Sequence, residues 1–321
     1  MFAYVVRRLA YGALTVIGVL FFLFLLFFAV TNPEDIARKA LGEKAMPEVI
    51  ERWKIHHGYN KQLWPSPDKP LDNMLVEHFR RMLFFDFGRS DADDVPIIER
   101  IADSVGPSLA LTVPLFAVGL LLSIALSLLV AFFRETYIDR AGVLICVLGM
   151  SVSILLYIIG GQYLLGKLLR WFPISGFDPS PEVVLRFLAL PVLVGVLSSL
   201  GSNTRFYRTV FVEEIYSDYV RTARAKGCSE GRIMIHQVLR NAMIPILTNV
   251  VLAIPFLFMG SLLLEAAFGI PGLGSITVDA IFGNDFSTLR TMVYIGSLFF
   301  IGGQILTDIS YTLVDPRVRL Q

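Results

Sequence analysis

The chain has 321 residues, of which 55% are hydrophobic and only 17% are charged. Soluble proteins carry about a quarter charged residues, so this composition, with a mean hydropathy of +0.65, excludes a soluble globular protein and indicates a polytopic membrane protein. The net charge of +1 gives no reason to expect a nucleic-acid partner. Cys146 lies in an apolar run and Cys228 in a polar one, so no disulfide is expected, and the four histidines show no metal-ligand spacing.

Six apolar runs are long enough, or nearly long enough, to cross a bilayer, which takes roughly 20 residues of helix. Their ranges are 9–30, 104–133, 141–166, 187–204, 241–264 and 291–314. The first run follows Arg7 and Arg8, as in a signal peptide, but its long apolar core and the lack of a small-residue cleavage site predict an uncleaved span. Asp308 is the one charged residue within these runs.

Lysine and arginine in the short loops predict the orientation of the spans, because basic loops stay in the cytoplasm. Such residues cluster before the first run, between the second and third, between the fourth and fifth, and after the sixth, where Arg317 and Arg319 lie. With six spans, all four segments lie on one side of the membrane. Both termini are therefore predicted to be cytoplasmic, and the lipid bilayer surrounds the chain.

This orientation divides the chain into three predicted parts. They are an N-terminal tail with the first span (1–30), an extracytoplasmic loop or cap (31–103), and a five-helix core (104–321) that contains a cytoplasmic segment at 205–240. Within the cap, 47–56 and 73–85 have helical spacing. The cap is equally compatible with a solvated loop and with a surface that faces the substrate.

The cytoplasmic segment contains a basic, alanine-rich stretch, RTARAKGCSEGRI, at 221–233. Asp218 can cap a helix of about three turns, Gly227 suits the left-handed residue that ends it, and Ser229 can cap a second helix.

The first of these helices combines small, apolar and basic side chains. The small residues are Ala223, Ala225 and Gly227, the apolar ones are Tyr219 and Val220, and the basic ones are Arg221, Arg224 and Lys226, with Thr222 among them. This composition is typical of a short amphipathic helix that docks into a groove of another protein. A basic helix that lies on anionic lipid headgroups is the alternative that stays open.

Residues 218–245, DYVRTARAKGCSEGRIMIHQVLRNAMIP, resemble the cytoplasmic signature of ABC importer permeases and, more narrowly, of the oligopeptide, dipeptide and nickel branch. Ala223, Gly227 and Leu239 keep the last alanine, the glycine and the leucine of the general signature. The departures from it are typical of the peptide branch; they are Arg221, Thr222, Gln237 and Arg240. Further stretches resemble the family in the same order along nearly the whole chain, including YVVRRLAYGALTVIGV, LFFDFGRS, WFPISGF, LLLEAAFGIPGLGSITVDAI and DISYTLVDPRVR.

The resemblance implies an all-α, type I permease of the bacterial cytoplasmic (inner) membrane with six transmembrane helices. It also implies three kinds of protein partner, namely a second homologous permease, two cytoplasmic ATPase subunits and an extracytoplasmic substrate-binding protein. The chain lacks the G-x-x-x-x-G-K-[ST] motif of a nucleotide site. It is therefore expected to be no enzyme and to hold no cofactor, with ATP and Mg²⁺ on the ATPase subunits. The helix from Tyr219 to Gly227 would be the coupling helix, and a peptide substrate rests on the resemblance alone.

The loop after the fifth span is a second candidate site. The resemblance and a rapid succession of glycine and proline indicate a contact with the binding protein or the outer mouth of the pathway. The alternative is a simple turn into the sixth span. The candidate residues are Glu265, Phe268, Gly269, Pro271, Gly272 and Gly274.

Polar residues within the spans are candidates for the translocation pathway, although such residues more often pack helices together. They are Ser151, Ser153, Ser202 and Asn203. The family often has Ser-Ile-Pro near the middle of the third span, where this chain has Ser151-Val152-Ser153, so no kink is expected there. Asp308 is expected to cap interfacial water or to pair with an arginine. The scarcity of charge in the spans argues against the alternative function, an ion-gradient-driven carrier or channel.

Overall fold

The computed structural model describes residues 2–30, 33–42, 44–57, 59–65, 71–180 and 182–314. Within these ranges the regular elements are helical, and the β-type pairing is an isolated bridge between Arg89 and Pro96. The all-α class predicted from the sequence is therefore confirmed. Arg317 and Arg319, on which part of the predicted orientation depends, lie outside the described residues.

The helices follow one another in chain order, and three of them are extended or joined by π-helical segments. The N-terminal half contains α1 (Phe2–Phe24, continued as a π-helix over Leu25–Val30), α2 (Pro33–Leu41), α3 (Pro47–His57), α4 (Met74–Leu83), α5 (Ile97–Phe132), α6 (Tyr137–Ser151) and α7 (Ile154–Gly161, continued as a π-helix over Gln162–Leu168). The C-terminal half contains α8 (Val184–Ile215), α9 (Asp218–Ala225), α10 (Glu230–Ile233), α11 (Leu239–Met259, joined to α10 by a π-helix over Met234–Val238), α12 (Leu262–Phe268), α13 (Leu273–Phe282) and α14 (Phe286–Val314). The α3 and α4 helices coincide with the two helical patterns of the cap.

Five helical segments of the described chain are individually long and apolar enough to cross a bilayer: Val5–Phe28, Ile97–Phe132, Val184–Ile215, Glu230–Met259 and Phe286–Asp308. Two further pairs meet these criteria only together, because each is bent in the middle, α6 with α7 by 90° and α12 with α13 by 83°. The chain is a multi-pass membrane protein with five to seven crossings. A total of six follows if the α6–α7 pair crosses as one broken span and the α12–α13 pair is re-entrant, and this count stays a prediction.

The third predicted span is broken between α6 and α7, so the expectation that it has no kink is wrong. Val152 and Ser153 adopt extended backbone conformations, and the Ser153 Oγ accepts a hydrogen bond from the Leu155 N–H at 3.4 Å. On the other side of the break, the Tyr157 hydroxyl donates to the Gly149 carbonyl oxygen at 3.0 Å. Side chains satisfy backbone groups that the break releases, so a serine cap takes the place of proline as the cause of the kink.

Three apolar clusters hold the helices together. One joins the cap to α1 and α14 and includes Phe24, Tyr59 and Tyr294. The second lies among α5, α7, α8 and α12, and the third joins α8 to α9 and to the helix that runs from α10 into α11. The α5–α8 pair is the most extensive helix contact of the described chain. The cap, the central spans and α9 therefore each pack around a core of their own.

Two buried aspartates, Asp91 and Asp285, tie the cap to the start of α14. The Asp285 carboxylate accepts hydrogen bonds from the N–H groups of Asp91 and Thr288, both at 3.0 Å. The Asp91 carboxylate accepts from the N–H and the hydroxyl of Ser287, at 2.8 and 2.9 Å. Both carboxylates thus cap the N-terminus of α14, where negative charge is favoured. Burial raises the pKa of the Asp91 carboxyl.

The imidazole of His78 on α4 is buried against α1, and its Nε2 lies 3.1 Å from the Leu20 carbonyl oxygen. Burial, and after it the charge of Arg290, lowers the pKa of His78 from 6.5 to about 3. The folded protein therefore keeps this side chain neutral at pH values at which the unfolded chain protonates it.

We expect the free energy of unfolding to fall as the pH is lowered from about 6.5 towards about 3, because in that window only the unfolded state binds the proton. The variant His78→Gln should flatten this dependence, whereas the same change at the exposed His236 should preserve it. Thermal unfolding of the purified chain over this pH range is the measurement. An equal pH dependence in His78→Gln and in the unsubstituted chain would contradict the prediction.

Candidate functional site

The short helix α9 lies between two spanning helices, α8 and the helix that runs from α10 through α11. It has eight residues, so it is shorter than the helix of about three turns expected from the sequence. Ser217 precedes it with an extended backbone, so Asp218 is the first helical residue and not the cap. Gly227 has the predicted left-handed conformation, with a φ of 78°, and its N–H donates to the Arg224 carbonyl oxygen at 2.9 Å. The predicted end of this helix is confirmed.

The turn after Gly227 leads directly into a membrane helix. Ser229 precedes α10 as predicted, although its side chain forms no capping hydrogen bond. Across the turn, the Arg224 guanidinium donates to both carboxylate oxygens of Glu230, at 2.7 and 3.2 Å. From Glu230 a continuous helix runs to Met259. A short turn therefore joins α9 directly to one of the long apolar helices.

One face of α9 is buried inside the chain itself. Val220 is fully buried and Ala223 is 4% exposed, and both belong to the apolar cluster that contains Tyr207, Phe211 and Ile233. The sequence pattern predicts that these two residues meet a partner. That prediction is wrong for their buried side chains, which anchor α9 to α8 and α10.

The opposite face of α9 is open to solvent. Its exposed residues are Asp218, Arg221, Thr222, Ala225, Lys226 and Gly227, while Tyr219 and Arg224 are half-buried. Beyond Asp218, which pairs with Arg221, the open face consists of short and basic side chains, and a partner can approach its backbone closely at Ala225 and Gly227.

An open groove of about 610 Å³ runs beside α9. Its lining residues are Tyr219, Thr222, Ala223, Lys226, Cys228, His236, Gln237, Arg240 and Asn241. Lys226 and Arg240 carry positive charge, and none of the lining residues is acidic. The groove therefore favours an acidic or polar group of a partner.

Residues 107–320 match the family described as the binding-protein-dependent transport system inner membrane component. The chain belongs to this family. A peptide transport system permease protein of Brucella abortus (strain 2308) is 32% identical to this permease over 323 residues, which cover 99% of both chains. The glutathione transport system permease protein of Salmonella typhi is 32% identical over 329 residues, again 99% of both chains.

The family membership confirms the resemblance to ABC importer permeases. This permease is a multi-pass protein of the bacterial inner membrane and a component of a transport system, not an enzyme. The match covers α9 and the turn after it.

The loop after α11 is built around the carboxylate of Glu265, which is fully buried in the permease. Its Oε1 accepts hydrogen bonds from the Ser108 hydroxyl and the Ser261 N–H, both at 2.9 Å. Its Oε2 accepts from the N–H groups of Gly274, at 2.7 Å, and Ser275, at 3.2 Å. Donors from α5 and from the N-terminal ends of α12 and α13 thus converge on one carboxylate and fix the bend between α12 and α13.

Three glycines close the space around this carboxylate. A Cβ atom at Gly260 or at Gly272 would collide with a carboxylate oxygen of Glu265, and one at Gly274 would lie 2.9 Å from it. Glu265 is therefore closed to the external partner predicted for it from the sequence. The carboxylate acts as an internal brace of the permease.

The other residues of this loop that were predicted to contact the binding protein fall into a buried group and an exposed group. Phe268 is 1% exposed and packs in the central cluster, and Gly272 and Gly274 are buried. Gly269, with a left-handed φ of 65°, and Pro271 are exposed. Of the predicted contact residues, these two are the ones that an external protein can reach.

The polar residues predicted for a pathway are largely satisfied within their own helices. The hydroxyls of Ser151 and Ser202 each donate to a carbonyl oxygen of the preceding turn at 2.9 Å, and Ser153 caps α7. Such local bonds are common for polar residues in helices. The pathway role of these serines and of Asn203 stays a prediction.

Asp308 forms an ion pair with Arg8 across 2.9 Å. The pair joins α14, the last span, to α1, the first. The expected pairing with an arginine is therefore confirmed, and the carboxylate has a structural partner.

Within the described residues, the fold brings together one group of possible metal ligands that the sequence spacing does not indicate. His56, His57 and Asp94 of the cap each place a donor atom within 4.8 Å of the others. Asp94 also bonds to the Arg89 guanidinium at 3.2 Å, and the His57 Nδ1 lies 3.0 Å from the Trp53 carbonyl oxygen. His56 and Asp94 are exposed, and exposed groups of this kind are common without an ion, so we assign no metal to them.

The variant Gly272→Ala should destabilise the permease by about 1–3 kcal/mol, because its methyl group has to displace a buried carboxylate. The matched control is Gly106→Ala in α5, where an added Cβ atom meets nothing within 4 Å. Thermal unfolding in detergent measures both variants. Equal melting temperatures would show that the space around Glu265 is not closed.

Proposed function

We propose that this permease is the membrane subunit of an ATP-driven importer of short peptides, and that α9 is the helix through which an ATPase subunit moves it. The observation that carries the proposal is the placement of α9. Its outer face is open, its inner face is packed against the spans, and its end leads into the spanning helix Glu230–Met259.

A force on α9 would act on two spans at once. Val220 and Ala223 pack α9 against α8, and the ion pair between Arg224 and Glu230 closes the turn into the next span. Packed protein interiors have low compressibility, so they transmit a displacement instead of absorbing it. Closure of the ATPase subunits would therefore rock both spans, which opens the pathway to one side of the membrane and closes it to the other.

The proposed assembly contains this permease, a second homologous permease and two cytoplasmic ATPase subunits that carry ATP and Mg²⁺. Each permease would form half of the translocation pathway. The family description, which refers to binding-protein-dependent transport, supports an extracytoplasmic binding protein as the fourth kind of subunit. The basic groove beside α9 suits an acidic or polar segment of the ATPase.

Short peptides are the proposed substrate because of the two named relatives. One is named for peptide transport and the other for glutathione transport, and glutathione is itself a tripeptide. The binding protein, which is a separate chain, would select among peptides before they reach the permease.

Uptake into membrane vesicles tests the proposed function. The complete assembly should take up a labelled short peptide when the binding protein is outside and ATP is inside, and omission of the ATPase subunits should abolish uptake. Uptake that is driven by an ion gradient without the ATPase subunits would contradict the proposal. It would indicate a carrier, in which Asp308→Asn would be expected to impair transport severely.

A bulky residue on the open face of α9 should separate the permease from its ATPase. The variant Ala225→Trp should lower ATP-dependent uptake and ATPase co-purification roughly tenfold, because overfilling a packed contact costs about 1–3 kcal/mol. The matched control is Ala141→Trp, which adds the same bulk to an exposed alanine of α6 on the same predicted side of the membrane. Unchanged uptake and co-purification in Ala225→Trp, with normal amounts in the membrane, would exclude α9 as the docking helix.

A further inference from the structure

A cavity of about 260 Å³ lies between the end of the α7 span and the start of α8, on the side predicted to be extracytoplasmic. It is lined by Gly166, Arg170, Phe172, Pro173, Val183, Arg186 and Phe187. The cavity therefore combines two guanidinium groups with aromatic and aliphatic walls. It shares no lining residue with the groove beside α9.

The two arginines of this cavity lack a partner among the residues that the structure describes. Neither Arg170 nor Arg186 forms an ion pair or a side-chain hydrogen bond with any residue that the structure describes. The carboxylate of Asp178, in the same loop, accepts a hydrogen bond from the Ser180 N–H at 2.9 Å instead. Two unpaired guanidinium groups in one cavity favour an anion with several oxygen atoms, because guanidinium binds phosphate and carboxylate through paired hydrogen bonds.

The surroundings of the cavity place it at the boundary of the membrane. The helix before it ends at Leu168, which is 65% exposed, and the helix after it begins beside Leu185, which is 72% exposed. Trp171 is 64% exposed between them, and exposed tryptophan is typical of the layer between hydrocarbon and headgroups. An occupant of this cavity would have its charged part beside the arginines and could extend an apolar part along the exposed leucines.

We propose that this cavity is a binding site for the phosphate headgroup of an anionic phospholipid. Arg170 and Arg186 bind the phosphate, Phe172 and Phe187 enclose the glycerol region, and the acyl chains follow the lipid-facing surface near Leu185. Loops on the extracytoplasmic side of membrane proteins are usually poor in lysine and arginine. An anionic headgroup gives these two unpaired arginines a ligand that the membrane itself supplies.

The fluorescence of Trp171, which follows Arg170 directly in the chain, can measure binding at this site. The chain contains three tryptophans, so replacing Trp53 and Trp64 by phenylalanine leaves Trp171 as the sole fluorophore. The full chain is placed in phosphatidylcholine nanodiscs with a small fraction of phosphatidylglycerol that carries bromine atoms near the glycerol end of its acyl chains. Quenching of Trp171 then measures occupancy of the site. The same fraction of brominated phosphatidylcholine measures random contact.

Brominated phosphatidylglycerol should quench Trp171 at lower mole fractions than brominated phosphatidylcholine does. The double variant Arg170→Gln, Arg186→Gln should lower the apparent affinity for phosphatidylglycerol roughly tenfold, because two charge-assisted contacts are lost. The matched control is Lys167→Gln, which removes a positive charge from the end of the preceding helix but does not line the cavity. Its affinity should stay within about a factor of two of the unsubstituted chain, because the contacts with the phosphate are kept.

Several outcomes would overturn the proposal. Equal quenching by the two brominated lipids, or an unchanged affinity in the double variant, would show that the arginines do not bind a headgroup. Relief of quenching by inorganic phosphate would assign the cavity to a free anion instead of a lipid. Loss of quenching in the assembled importer would assign this surface to a contact between subunits.

A charge-preserving variant tests whether the site itself stays intact. Both arginines are exposed, so their substitution should not disturb folding. The double variant Arg170→Lys, Arg186→Lys keeps the charge and should therefore recover part of the affinity.

Discussion

A buried backbone N–H or carbonyl group that loses its helical partner needs another hydrogen-bond partner, and this constraint governs each break and each buried end of the helices. Ser153 and Tyr157 satisfy the break between α6 and α7. Glu265 satisfies the N-terminal ends of α12 and α13, and the two aspartates of the cap satisfy the start of α14. Specific hydrogen bonds therefore hold each break and each of these helix ends in place. The resulting bends distinguish the permease from a bundle of straight helices.

The short helix α9 depends on the spans in a different way. A helix of eight residues is far too short to be stable by itself in water. The burial of Val220 and Ala223 against α8 and α10 supplies the packing that keeps it folded. A partner would therefore meet a surface that is already ordered, and binding would cost little conformational entropy. The same two residues make the helix inseparable from the spans that it would move.

Much of the architecture could be predicted from the sequence, because long apolar runs and glycine at a helix end follow from local physical chemistry. The continuous spans and the left-handed Gly227 are of this kind. The buried face of α9 could not be identified, because a small residue such as Ala223 allows close packing against a partner protein and against the interior of the chain alike. The surroundings of Glu265 could not be predicted either, since Ser108 is 157 positions away from it in the chain. The kink at Ser153 was missed because a serine cap is a weaker sequence signal than proline.

The brace around Glu265 has a consequence for how sequences of this kind diverge. Neither Gly260 nor Gly272 can gain a side chain while the Glu265 carboxylate stays in place. A change at any one of these positions is tolerated only together with changes at the others. Accumulated substitutions should therefore be rare and correlated in this loop, while the lipid-facing side chains of the neighbouring spans drift independently.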